Sequence, residues 1–350
     1  MPYMATVFLN GSFLPASDAC ISAFDAGFQH GVGLFETMLA VRPPPQPPVT
    51  PLAAGESPHV LHLLEHLRRL AESARELGLS ENLHTGALAE AVERTVAKAA
   101  SDSPDVGRFR IRLTISGGDL NLLGAARGAS SGEHSPTLLI HVQPATAYPT
   151  EMFTRGVLAT LADWKANPLD TFQGHKTVNY WPRLRELQVA AGKRAAEALV
   201  FQVTNYLAGG CVSNAFVVKN GSLVTPIARG EEEDIAGDAG EREAAAEDAA
   251  NKYDPPIKGA AIPSPVLPGI VRRWVMDWAL SQGLTCERRL VTISDVLTAD
   301  ELFLTNSSWG VLPIIAFESE AIGGGKVGEI TQRAVAAWNE LLLPTDDDAL

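Results

Sequence analysis

Residues 197–226 limit the fold more than any other stretch. Within them "EALVFQV", "NAFVVKNG" and "SLVTP" are strand-length runs of apolar and β-branched residues, a composition that suits a half-buried pleated surface. Asn220-Gly221 joins the second run to the third. Asn-Gly is the pair that most readily takes the two positive φ angles of a tight hairpin, so antiparallel pairing is expected here. The connection "LAGGCVSN" (residues 207–214) is small and polar, with two adjacent glycines, and reads as irregular.

The rest of the chain extends this pattern. "ATVFLNGSFLP" alternates around another Asn-Gly step and reads as a hairpin, and "GLFETMLAV", "RFRIRLTISGG" and "TLLIHVQPA" read as strands. Leu63, Leu64, Leu67, Leu70, Ala74 and Leu77 recur at helical spacing up to Gly78. "LHTGALAEAVERTVAKAA" is a second amphipathic helix. This half is a sheet with helices on one side. After residue 148 come a strand at "GVLATLAD", an irregular stretch to Lys176 and a helix at "YWPRLRELQVAAGKRAA". Beyond the constraining strands lie a helix at "PGIVRRWVMDWALSQGL", a strand–loop–strand at "LFLTNSSWGVLPIIAFE" and a C-terminal helix. The expected fold class is α+β, with a smaller N-terminal domain at 1–147 and a larger one at 148–350. Two segments break the pattern. "RPPPQPPVTPLAAGESP" is too proline-rich for helix or central strand. The acidic stretch at about 228–258 has too few large apolar groups to offset its ordering entropy and is expected to be a mobile insertion.

The formal charge of −13 disfavours nucleic acid and anionic membrane as partners. Three scattered cysteines form no CxxC pair, which predicts neither a disulfide framework nor a metal site. The N-terminus lacks a basic, then apolar leader, and no apolar run reaches the ~18 residues of a membrane span. A cytoplasmic location is the expectation.

Residues that could carry chemistry are few. Lys176, in "GHKTVNYW", sits among hydrogen-bonding and aromatic neighbours, and a desolvated amine can attack a carbonyl carbon. "LPGIVRRW" places Ile270 and Val271 at a helix start, where free N–H groups and the dipole favour phosphate. "LTNSSWG" offers the hydroxyls of Ser307 and Ser308. Arg69 could be a bidentate phosphate ligand, although an arginine on a helix is more often solvated. "IGGGKVGEIT" lacks phosphate-loop spacing and reads as a turn before a helix.

Together and in this order, "FDAGFQHGVGLFETM", "EHLRRLAESARELGL", "HKTVNY", "EALVFQVTNYLAGGCVSNAFVVKNGSLVTP", "LPGIVR" and "ELFLTNSSWGVLPI" resemble the class IV aminotransferases. These are fold-type IV pyridoxal-phosphate enzymes that include branched-chain and D-amino-acid aminotransferases and 4-amino-4-deoxychorismate lyase. The resemblance implies a two-domain, D-amino-acid-aminotransferase-like fold with pyridoxal 5′-phosphate between the domains. It also implies a homodimer and a small amino substrate, an amino acid or an aminodeoxychorismate-like compound, undergoing transamination or β-elimination.

Carried over by position, the resemblance makes Lys176 the Schiff-base lysine and places Tyr180 near the cofactor's phenolic oxygen. Arg69, the N–H groups of Ile270 and Val271, and Ser307 form the phosphate cup. Ser308 is expected to offer a backbone N–H to the substrate carboxylate, and Arg112 and His30 to face the substrate. There are departures. Ala26, His30, Val32 and Val271 replace the family's usual Arg, Tyr, Asp and Thr. Gly209 stands where the family has the glutamate that keeps the pyridine nitrogen protonated. That loss leaves a second reading open, a catalytically silent or altered cofactor-binding relative.

Overall fold

The computed structural model describes residues 5–42, 58–119, 136–232 and 262–342. Two sheets organise them. The first contains β1 (Thr6–Leu9), β2 (Ser12–Leu14), β3 (Gly33–Val41), β4 (His59–Val60), β5 (Arg108–Ser116) and β6 (Leu138–Pro144), in the order β2-β1-β6-β5-β3-β4. All of its pairs are antiparallel. Asn10 and Gly11 take positive φ at the β1–β2 turn, as the sequence requires. The helices Leu63–Glu76 and Thr85–Asp102 cover one face. Leu67, Leu70, Val92 and Val96 pack there against Ile111, Leu113 and Ile140. Each fully buried aliphatic side chain in such a layer contributes about 1.5–3 kcal/mol. The alternation that turns Ile111 and Leu113 inward turns Arg110 and Arg112 to the opposite face, where they are half-buried.

The second sheet contains β7 (Val157–Leu161), β8 (Glu197–Phe201), β9 (Leu207–Gly210), β10 (Asn214–Lys219), β11 (Ser222–Pro226), β12 (Cys286–Arg289), β13 (Glu301–Asn306), β14 (Gly310–Phe317) and β15 (Glu320–Ala321). Its order is β12-β11-β10-β13-β14-β7-β8-β9, with β15 on β14. Its middle strands are buried on both faces. Phe216, Val218 and Phe303 meet the helices Ile270–Ser281 and Glu329–Leu341 through Val275, Ala279 and Trp338. Ala215, Val217, Leu302 and Leu304 face a second core with Leu312 and Ile314. Burial on both sides is why these strands read as continuous apolar runs rather than alternating ones.

Several elements depart from expectation. "LAGG", read as irregular, is strand β9, paired with β8 through Leu199↔Gly210 and Val200↔Gly209 with a bulge at Ala208. A short helix, Ala26–His30, begins at Asp25, whose carboxylate accepts from the N–H of Gly27 and Phe28. Residues 228–232, expected in the mobile insertion, are held in place. The Glu231 carboxylate pairs with the buried guanidinium of Arg272 (2.8 Å) and accepts from the Ala228 N–H. Residues 233–258 of that insertion, and 43–57 of the proline-rich segment, lie outside the described residues. Among the described residues, no helix is long and apolar enough to cross a membrane.

Candidate active site

A cavity of about 300 Å³ opens between the two sheets, walled by β3, β5, the Lys176 segment, the turn after β9, the start of the helix Ile270–Ser281 and the β13–β14 loop. The Lys176 segment is irregular but not free. Phe35 donates its N–H to the Lys176 carbonyl (2.9 Å), and Val178 donates to that of Gly33 (3.0 Å). These bonds fix Lys176 against β3. Its Nζ lies 4.5 Å from the Phe35 ring centroid and 3.5 Å from the Tyr180 hydroxyl. Burial pushes the Tyr180 phenol up, yet the Lys176 ammonium and then Arg183 overcome this and bring it below its ordinary value.

The opposite wall is built for an anion. The helix Ile270–Ser281 starts at Gly269 without a side-chain cap, so the N–H groups of its first turn are left to the cavity that Ile270 and Val271 line. Gly269 is obligatory there, because a Cβ would collide with Asn214 Oδ1. Asn214 Nδ2 in turn donates to the Leu267 carbonyl (2.8 Å) and holds the approach to the helix. Arg69, expected from the resemblance in the phosphate cup, also lines the cavity, and it is not a solvated helix charge. Its Nε and one terminal nitrogen clamp Glu36 at 2.9 and 2.6 Å, and the other nitrogen donates to the Pro268 carbonyl. Two of its five N–H donors remain for a ligand.

Glu36 and His66 were not singled out from sequence. Glu36 is a buried carboxylate on β3. Burial pushes it up, but Arg69 and His66 outweigh that and hold it at about 2. His66 Nδ1 lies 2.7 Å from Glu36, and its Nε2 lies 3.4 Å from the Ser307 hydroxyl. The signal was present in retrospect. A glutamate inside "GLFETMLAV" must be paired if buried, and His66 and Arg69 sit three apart on the apolar stripe of the helix that covers β3.

The remaining expected residues divide. Arg112 lines the cavity, stacked over Phe35 at 3.7 Å, with Arg110 two positions earlier on the same strand face. Burial and then Arg110 lower Arg112 to about 10. Burial, Arg110 and Arg112 lower the neighbouring His141 to about 4. Neither arginine has an ion-pair partner among the described residues. Ser308 lines the cavity, but its N–H, expected to meet substrate, donates to Asn306 Oδ1 (2.8 Å). That asparagine satisfies two amides of the loop at once, which leaves the Ser308 hydroxyl, itself hydrogen-bonded with Tyr148 at the cavity wall. His30 is exposed at the end of its short helix and lines a neighbouring cavity of about 620 Å³, not the one holding Lys176. Gly209 does not line the cavity either. Its φ is +140°, and a Cβ there would lie 2.7 Å from the Ser213 carbonyl oxygen. Behind the adjacent turn, the fully buried Glu197 accepts from Cys211 N–H, Val212 N–H and Ser213 Oγ, and burial pushes it up to about 7.

The sequence profile of the amino-transferase class IV family matches residues 33–231 and 257–317. The chain belongs to the class IV aminotransferases. It is 25% identical over 336 residues to a Methanocaldococcus jannaschii protein provisionally assigned as a branched-chain-amino-acid aminotransferase, covering 96% of both chains. Its fold matches that of the Escherichia coli branched-chain amino acid aminotransferase (TM-score 0.75, 21% identity, 97% of this chain and 94% of that one). It also matches the 4-amino-4-deoxychorismate lyase of Pseudomonas aeruginosa (TM-score 0.69, 24% identity, 95% and 98%). Class IV aminotransferases use pyridoxal 5′-phosphate. The cavity fits that group: a half-buried amine stands on one wall, and an uncapped helix start, a held arginine and a serine hydroxyl stand on the other. Among the described residues, no Asp or Glu lines it.

Proposed function

We propose that this enzyme acts on an amino substrate bearing a second, distal carboxylate. The observation that carries the reading is the charge of the cavity. In a protein of net charge −13, Arg69, Arg110, Arg112, Lys176 and Arg183 line it, with no carboxylate among the described residues of the lining. Arg69, Ser307 and the N–H groups of Ile270 and Val271 hold the cofactor phosphate, and Tyr180 meets its phenolic oxygen. When bound, pyridoxal 5′-phosphate supplies an electron-withdrawing ring that stabilises negative charge at the substrate α-carbon. Lys176 Nζ, fixed through its backbone to β3, takes and returns the α-proton. Arg112 and Arg110, with the Ser308 hydroxyl, orient the carboxylates by charge-assisted hydrogen bonds.

The lack of a side chain at Gly209 supports elimination of a β-substituent over amino-group transfer. With no carboxylate at position 209 to hold the ring nitrogen protonated, a bound cofactor would supply weaker electron withdrawal. A reaction that discharges the α-carbon at once suffers less from this than one that holds the charge. A silent relative is the reading that the retained Lys176 opposes.

The test pairs a spectrum with kinetics. Adding pyridoxal 5′-phosphate should produce a visible band in the wild type that Lys176→Ala lacks. Amino substrates with a distal carboxylate should be turned over in preference to aliphatic ones, and Arg112→Met should cut that preference about 10- to 100-fold, the worth of one charge-assisted hydrogen bond. A band without turnover of any amino substrate would leave the silent relative. Equal turnover of aliphatic substrates would sink the dicarboxylate reading.

A further inference from the structure

The base of the anion-binding wall is a chain of three groups: Glu36, His66 and Ser307. Glu36 stays ionised, so it can only accept, and the His66 Nδ1 facing it at 2.7 Å carries a hydrogen. The charges facing His66 are Glu36 from β3, Arg69 from its own helix and Lys176 from the segment pinned to β3; Ser307 comes from the β13–β14 loop. Burial is the largest influence on His66 and, with Arg69 and Lys176, it prevails over Glu36 and lowers the imidazole from its ordinary value. In the anion-free protein at neutral pH the ring is therefore neutral, and Nε2 is an acceptor.

That state is unsuited to an anion. With Nε2 accepting, the Ser307 hydroxyl hydrogen is directed back at His66 (3.4 Å), and the oxygen presents lone pairs to the cavity. The cluster is also electrically spent, because the bidentate Glu36 contact balances Arg69. Adding one solvent proton to Nε2 reverses both features. Nε2–H then donates to Ser307 Oγ, the hydroxyl hydrogen turns into the cavity, and Glu36–His66–Arg69 carries a net positive charge. We infer that His66 is a positioning residue whose protonation is coupled to occupation of the phosphate cup, so that a dianion enters together with one proton. The inference rests on the cup assigned under the proposed function.

The experiment uses inorganic sulfate on the cofactor-free protein, because sulfate does not titrate near neutrality and any proton taken up must come to the protein. Calorimetry at pH 7.5 in buffers of different ionisation enthalpy counts that proton. Wild type should take up roughly one proton per sulfate, and His66→Asn, which keeps a donor toward Glu36 and cannot titrate, should take up none and bind about ten-fold more weakly. The wild-type affinity should fall as pH rises and the variant's should not. Nitrogen-15 titration of histidine-labelled wild type gives a reading independent of the variant: the His66 resonance should move from neutral to protonated on adding sulfate. Binding without uptake, or uptake that persists in His66→Asn, overturns the coupling and leaves the cup standing. Absence of sulfate binding overturns both.

Discussion

Glu36 is a carboxylate within a largely apolar strand, and its cost is met by two groups on the covering helix, the Arg69 guanidinium and the Nδ1–H of the neutral His66 ring. Removing one partner from a buried pair leaves the other uncompensated, which typically costs about 3–5 kcal/mol. Glu36→Gln should be destabilised by that amount at pH 7 in urea unfolding. Glu36 is held at about 2, below its unfolded value. Its contribution is therefore present above the ordinary carboxylate value and fades as pH falls from there toward 2. The gap between wild type and Glu36→Gln should close over that window. A gap that is constant with pH would mean that the variant loses packing rather than charge.

At the scale of elements, legibility followed periodicity. The helix Leu63–Glu76 announces itself through Leu63, Leu67, Leu70 and Ala74, and the Asn220-Gly221 hairpin through its turn chemistry. β9 does not, because "LAGG" has no alternation, and it is a strand only by its pairing with β8. The lining of the cavity was legible where the order of motifs marked it, at Lys176, Arg69, Ile270 and Ser307. It was opaque where a buried group needed a partner distant in sequence, as Glu36 needs His66, or where a side chain consumed a backbone donor, as Asn306 does to Ser308. Gly209 combines both lessons. Its position named a missing carboxylate, but only the structure shows a backbone that an L side chain adopts at a cost of about 1–3 kcal/mol. Gly209→Glu should therefore lower thermal stability instead of simply restoring a ring partner. An unchanged melting temperature would mean that the bulge relaxes and that the glycine is not obligatory.

At the scale of the whole molecule, a chain of net charge −13 forms a cationic cavity, and several of its most exposed apolar side chains are near neighbours in the chain of residues that line the second cavity. Phe28 and Trp181 are 77% and 78% exposed, with Phe24, Leu169 and Phe172 also outside. Phe172 lines that second cavity, as do His30 and Pro182, the chain neighbours of this group. Where such side chains adjoin, their exposure is costly on a monomer and marks a surface to be covered. The expectation of a homodimer places a second copy of the chain on this face, joined through the same surface on both protomers in a two-fold arrangement. His30, left outside the Lys176 cavity of its own chain, would then lie in the interface. Sedimentation equilibrium should give a dimer for the wild type, and Trp181→Glu, which replaces a 78% exposed apolar side chain with a charge, should shift it toward monomer at micromolar concentration with its circular dichroism unchanged. A wild type that sediments as a monomer, or a Trp181→Glu dimer as tight as the wild type, would show that this face is not the interface.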